Sequence, residues 1–351
     1  MRVLFAVAVG VLMSSAAFAV LDIQNPGDPG TGVLVPDTLV PCTDDIYCSD
    51  YTEAAGGYVA DGEWNPVTNV SAFMSTGGVV VVRNELCGPV GEIFPTGTSF
   101  DNSVPRGFAW DRDPASGKFW VGSWSDVCPN PTSFIGIIHM DATGQEIMGW
   151  SYADDPRLAP QCGAQCSGLA MDYATGRMWA MLRNNPGGVT SKFACFDTSV
   201  PDNVRPPLLG VWEVQWNGGP SSVGSASLEY QASDCTIVAL RQDSNNLGVT
   251  ELTKFQDVGI ANPTLLGYCQ LVNTPCVGAG QTTNRPWGFS LSEDPNFGAY
   301  GIFTDLNLSV GCANIIQPAD FHIIALPQFT GQCGTTAVEP TTWGQIKNEY
   351  K

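Results

Sequence analysis

Two histidines, His139 and His322, are the whole imidazole supply of this 351-residue chain. A Ser-His-Asp or Cys-His nucleophile needs an imidazole beside it, so acyl-transfer chemistry has little material here. Both histidines sit in apolar runs, IGIIHMD and ADFHIIAL, where a sheet position is the expected role. No GxSxG elbow, HExxH pair, phosphate-binding GxxxxGK[ST] loop, GxGxxG or intact EF-hand loop occurs. Carboxylates are plentiful instead, with 34 Asp and Glu. Glu63 and Glu229 each stand one residue before a large aromatic, Trp64 and Tyr230. Two such acids could share a metal or do acid/base work, or each could hydrogen-bond a neighbouring element. The stretch from Asp111 to Gly117, DRDPASG, begins like a calcium loop but lacks the later acidic ligand, so it reads as a turn.

The redox setting follows from the first nineteen residues. MRVLFAVAVGVLMSSAAFA has one basic residue, an apolar run and a small-x-small end, which reads as a secretory signal peptide over 1–19. All twelve cysteines follow it, and an even number in an exported chain implies up to six disulfides. Cys42/Cys48, Cys162/Cys166 and Cys269/Cys276 are the pairs most easily closed as local loops. The expected location is secreted, in the extracellular space or a periplasm. No later apolar run reaches the length of a membrane span. The formal net charge of −19 disfavours nucleic acid and anionic bilayers as partners, and leaves cation binding open.

The elements that must position these groups are strands. Charged residues make up 14%, against roughly 25% in an average soluble protein, and 39 Gly with 25 Pro imply many turns. The stretch SGLAMDYATGRMWAML (167–182) is two apolar arms around a polar hinge, the pattern of a tight β-hairpin. The same order, G-[FL]-A-[WM]-D, a turn ending [ST]-G, a basic residue and [FM]-W, runs from Gly107 to Trp120. Weaker copies lie around Leu228-Glu229-Tyr230 and Gly288-Phe289-Ser290-Leu291, and a degenerate one around Glu63-Trp64. The large apolar residues before each turn, Trp110, Met171, Tyr230 and Leu291, are 61, 59 and 61 residues apart, and Trp64 lies 46 before Trp110. Further strand-like runs follow each hairpin, so each unit makes a four-stranded antiparallel sheet. A sheet apolar on both faces needs a neighbour on each side, which a closed ring supplies. The expected fold is an all-β, disulfide-containing propeller of five blades, with a sixth possible from residues 20–60.

The motif D-x-x-[ST]-G-x-x-W resembles the blade repeats of NHL- and lactonase-like β-propellers over about residues 61–330. The resemblance implies a divalent cation, Ca²⁺ or another hard ion, held by acidic and amide oxygens at the channel mouth. In this chain those ligands would be Glu63, Asn184, Asp243 and Asp305. Repeat geometry separately places residues entering the first strand and leaving the second at one rim. That makes Arg106, Trp124, Asp126, Arg183, Arg241, Arg285 and Trp287 the candidate ligand-binding set, with Trp124 and Trp287 as exposed aromatic platforms.

Two segments lie outside the repeats. Residues 20–60 form a Pro/Gly-rich arm, either packed on its own propeller, with Val33-Leu34-Val35 closing the ring, or added as a strand to a second copy. Residues 331–351 form a tail whose Thr342-x-x-Gln345 is a capping-box pattern, with Trp343, Ile346 and Tyr350 on one face of a short helix. The functional expectation is a non-catalytic propeller that binds an extracellular protein or glycan, with self-association through arm or tail. The alternative is a metal-dependent lactonase-like or glycan-cleaving hydrolase using the mouth.

Overall fold

The computed structural model describes residues 33–34, 40–41, 59–84, 89–124, 134–158, 164–184, 191–216, 223–233, 235–243, 249–272, 285–292, 300–306 and 321–325. The expected signal peptide, the C-terminal tail and Asp126 lie outside them. Among the described residues the strands form five sheets. The first holds β3 (Val59–Asn65), β4 (Val70–Ser75), β5 (Val80–Asn84) and β6 (Pro89–Ile93), in that order. The second holds β7 (Val104–Trp110), β8 (Phe119–Trp124), β9 (Gly136–Met140) and β10 (Glu146–Ser151). The third holds β11 (Ala164–Asp172), β12 (Arg177–Asn184), β13 (Ser191–Asp197) and β14 (Leu208–Glu213). The fourth is built on β15 (Val223–Gln231), β16 (Thr236–Asp243), β17 (Val249–Gln256) and β18 (Thr264–Val272). The last is built on β19 (Arg285–Ser292), β20 (Tyr300–Leu306) and β21 (Phe321–Ala325).

The consecutive strands of each sheet pair as an antiparallel meander, and β3, β7, β11, β15 and β19 lie innermost. β3 meets β7, β7 meets β11, β11 meets β15, β15 meets β19, and β19 returns to β3. This is the propeller arrangement. Burial follows from it: β8 (FWVGSW) and β9 (GIIHM) are buried along their whole length, whereas the outer β14 is half-buried to exposed. The continuous burial replaces the alternation of a one-faced sheet because a neighbour covers each side.

Among the described residues, apolar seams join consecutive sheets. Ala72, Met74 and Val80 pack on Phe108, Trp110 and Phe119. Trp120, Ile137 and Trp150 pack on Leu169, Met171 and Phe196. Trp179, Phe193 and Met181 pack on Leu228, Tyr230 and Phe255.

The N-terminal arm departs from the expectation of an added sheet. β1 (Val33–Leu34) joins β18 in parallel, making the fourth sheet five-stranded, and β2 (Val40–Pro41) joins β21 as the antiparallel fourth strand of the last sheet. No sixth sheet forms among the described residues, because both arm strands are used on existing edges. Uniform four-stranded sheets therefore hold for four of them only.

The cysteine expectation also needs correction. Cys166 and Cys195 are free, buried thiols, so Cys166 does not close a loop with Cys162. Both sit between sheets: the Cys166 Sγ lies where a side chain on Gly107 or Gly122 would collide with it. Burial raises the Cys166 thiol far above its ordinary range and pushes Cys195 up to about 12. Reaction needs a thiolate. A thiol reagent at pH 8 will therefore leave both residues unmodified in the native chain and label both after unfolding, as peptide mass mapping will show.

Candidate functional site

An innermost strand is also a sheet edge, and its N–H groups facing the axis have no strand partner. Three carboxylates satisfy them. On β3, Asp61 and Glu63 are two residues apart and so share a face. The Asp61 Oδ2 accepts from the N–H of Phe108 and of Leu169, both at 2.8 Å. Its Oδ1 accepts from Leu228 N–H at 3.1 Å and from the Ser227 hydroxyl. Glu63 accepts from Trp110 N–H through Oε2 and Met171 N–H through Oε1, each at 2.5 Å. Glu229, on β15, accepts from Trp64 N–H at 3.2 Å, and Ser227 Oγ accepts from Phe289 N–H at 3.2 Å. Side chains of β3 and β15 thereby bind the edges of all five inner strands.

All three acids are buried. Desolvation pushes the Asp61, Glu63 and Glu229 carboxyls well above the usual range, against the lowering effect of the N–H donors. They differ in one respect. Both Glu63 oxygens accept a backbone N–H, whereas the buried Glu229 Oε2 has no hydrogen-bond partner. Glu63 was expected at the mouth as a metal ligand. Its oxygens are instead engaged inside the axis, away from the strand ends that carry Asn184, Asp243 and Asp305. Asp61 has no place among the residues expected from the sequence, because its donors are all distant in the chain.

At the rim itself the strand ends fall as the repeat implies. A register irregularity recurs in every innermost hairpin: between Val59 and Asp61, Pro105 and Gly107, Cys166 and Gly168, Val223 and Ala226, and Pro286 and Gly288. Arg106 and Trp287 occupy equivalent positions in two of these irregularities, which re-aim the backbone at the rim. Arg183 and Asn184 end β12, Arg241 and Asp243 lie at the end of β16, Asp305 lies near the end of β20, and Arg285 begins β19. Asn184 pairs with Ala164, Asp243 with Val223, and Asp305 with Pro286. Trp124 is not the exposed platform expected. It is buried, and the Arg106 guanidinium lies 3.9 Å from its ring centroid. The guanidinium covers one face of the ring, and burial of Trp124 closes the indole to a sugar.

The opposite face, which carries the first-hairpin turns, holds a second polar set that the sequence reading assigned no function. The residue after each large apolar marker is buried and polar: Asn65, Asp111, Asp172, Gln231 and Ser292. Asn65 Nδ2 donates to Pro114 O at 2.9 Å, linking the first and second sheets. Arg177 donates to Asp172 Oδ2 at 3.0 Å and to Asp257 Oδ2 at 2.6 Å, linking the third and fourth. Tyr230 Oη also donates to Asp257 Oδ2, at 3.0 Å. Lys254 Nζ donates to Gln231 at 3.2 Å within the fourth sheet. Between the second and third sheets stand Asp111, His139 and Asp202, whose ligand atoms lie within 4.8 Å of one another. His139 was read as a sheet histidine, and it does sit in β9, but between two acidic residues.

No family model and no curated protein matches the chain. Among solved structures, the WD40 domain of Neurospora crassa Pan2 aligns at 10% identity with a TM-score of 0.35, over 77% of this chain and 66% of that one. A chain of the mitotic checkpoint complex aligns at 12% identity with a TM-score of 0.37, over 76% of this chain and 63% of that one. The chain thus spans just under two thirds of the length of each. The propeller arrangement rests on the sheet order and ring closure above. The narrower kinship with NHL- and lactonase-like propellers finds no matching family model.

Proposed function

We propose that the chain is a secreted, non-catalytic binding propeller whose partner is an extracellular protein or glycan, engaged at the rim where β12, β16 and β20 end and β19 begins. One observation carries this reading. The acids on the axis, Asp61, Glu63 and Glu229, serve as acceptors for the edges of the inner strands, so Glu63 is withdrawn from mouth chemistry. With Arg106 and Trp124 occupied by each other, recognition falls to Arg183, Arg241, Arg285, Trp287 and Asp126. Calcium at Asn184, Asp243 and Asp305 belongs to the competing hydrolase reading, which has lost its fourth ligand.

The test has two arms. The full chain, with disulfides intact, is incubated with a panel of lactones, esters and glycans. No turnover is expected, and turnover abolished by Asp243→Ala would overturn the proposal. In parallel, binding to an array of extracellular polysaccharides and surface proteins is measured for the chain and for a variant carrying Arg183→Ala, Arg285→Ala and Trp287→Ala. Loss of about tenfold in affinity, or 1.4 kcal/mol, is expected in the variant. Self-association through residues 20–60 or 331–351 is read from size-exclusion profiles of the full and trimmed chains.

A further inference from the structure

We propose that Asp111, His139 and Asp202 form a binding site for a borderline divalent cation of the zinc class, at the seam between the second and third sheets. The site lies on the face opposite the proposed recognition rim and does not depend on that reading.

The imidazole shows why a cation belongs there. His139 Nδ1 stands 3.2 Å from the backbone carbonyl oxygen of Asp202, which can only accept, so Nδ1 carries a hydrogen. In the neutral ring Nε2 is then a lone pair. It lies 2.9 Å from Asp111 Oδ2, which is also an acceptor. Two acceptors at that distance repel unless a proton or a metal ion lies with them. Nε2 is buried, and Asp111 is the one group beside it among the described contacts. The ligand atoms of Asp111, His139 and Asp202 all lie within 4.8 Å of one another, the convergence that a shared ion requires.

The surroundings fit an ion. The Nδ1–H to carbonyl bond is the outer contact that sets the tautomer of a metal-ligating histidine. Trp120 stacks flat on the ring, with centroids 3.9 Å apart and planes 4° from parallel, which holds its orientation. Asp111 Oδ1 is steadied by the N–H of Asp113 at 3.2 Å. One imidazole nitrogen with carboxylate oxygens suits zinc and its neighbours in the first transition row, whereas calcium prefers an all-oxygen set. The third ligand also provides the entrance. The Asp202 side chain is 46% exposed and pairs with Lys118, whose side chain is 32% exposed. An arriving divalent ion can displace that lysine into solvent. Once bound, the ion would fasten the turn after β13 to the turn after β7.

The full chain, stripped with a chelator and dialysed, is titrated with zinc by calorimetry, with calcium as the control. One zinc site is expected at about micromolar affinity or tighter, with no calcium heat in the same range. Asp202→Asn should weaken zinc by about tenfold or more without changing the melting temperature of the metal-free chain. His139→Gln should abolish binding. Because that buried substitution could unfold the chain, the exposed Asp202→Asn carries the decision. Cobalt should give visible absorption of a nitrogen–oxygen site in the full chain only. No zinc heat at about 100 µM, zinc affinity untouched in Asp202→Asn, or ring-nitrogen resonances showing a doubly protonated His139 that zinc leaves unmoved would each overturn the site.

Discussion

At pH 4, Glu63→Gln will destabilise the protein by about 3 kcal/mol, while Glu229→Gln will cost less than about 1 kcal/mol. The two residues hold the same register, precede equivalent aromatics and are equally buried. They differ in what faces the second oxygen. In Glu63 each oxygen accepts a backbone N–H, so the glutamine amide must set a donor against the donor of Trp110 or Met171. In Glu229 Oε1 accepts from Trp64 N–H, Leu291 N–H also faces the carboxyl, and Oε2 makes no close hydrogen bond, so an amide in place of Oε2 forfeits less. The pH dependence has the same sign for both, because burial raises each carboxyl. Burial holds the Glu229 carboxyl above its unfolded range, so its favourable contribution is complete below about pH 4 and is lost as pH rises through the folded value. Glutamine cannot ionise. Glu229→Gln should therefore match the parent near pH 4 and exceed its stability by about 1 kcal/mol or more at pH 8. Denaturant titrations at both pH values will show it. Equal effects of the two substitutions would refute the arrangement of acceptors on the axis.

Arg177→Ala should cost about 3–5 kcal/mol at pH 7, the usual penalty for leaving buried charge without its partner. The guanidinium bridges Asp172 and Asp257, whose side chains are 3% and 2% exposed, across the seam between the third and fourth sheets. Removing it leaves two carboxylates facing each other with only Thr175, Tyr230 and local N–H groups as donors. Arg177→Lys should recover only part of the loss, because one ammonium cannot reproduce the forked geometry. Thermal melts of the three chains at pH 7 would measure this. A cost below about 1 kcal/mol would mean that the bridge behaves like a surface pair.

What the sequence disclosed divides by range. The hairpin around Tyr173 and its copies were legible because alternation and turn residues are local, and their sixty-residue spacing implied one sheet per unit. The rim positions of Arg183, Arg241, Asp305 and Arg285 follow from the same counting. Asp61 was not legible, since its donors, Phe108, Leu169 and Leu228, stand 47, 108 and 167 positions away. Nothing near Asp61 announces them. The burial of Trp124 was misread for a similar reason: a strand-end aromatic looks exposed until the arginine that covers it is placed. The Asp111–His139 contact needs the cross-strand pairing of Trp120 with His139, a registration invisible to a motif. The free thiols at Cys166 and Cys195 show that parity counts cysteines without locating them.

The two short arm strands carry a consequence for how the chain is made. Val40 pairs with Ile323, and Pro41 with His322, so the last sheet joins segments about 280 positions apart. A ribosome delivers the first partner long before the second, and until then the edge of β21 does not exist to receive it. The early sheets can dock as they emerge, but the circle is sealed only in a late, slow step, during which the arm is a loose sticky end in a crowded compartment. Chaperone demand, and any exchange of arms between nascent copies, should therefore concentrate at the end of synthesis.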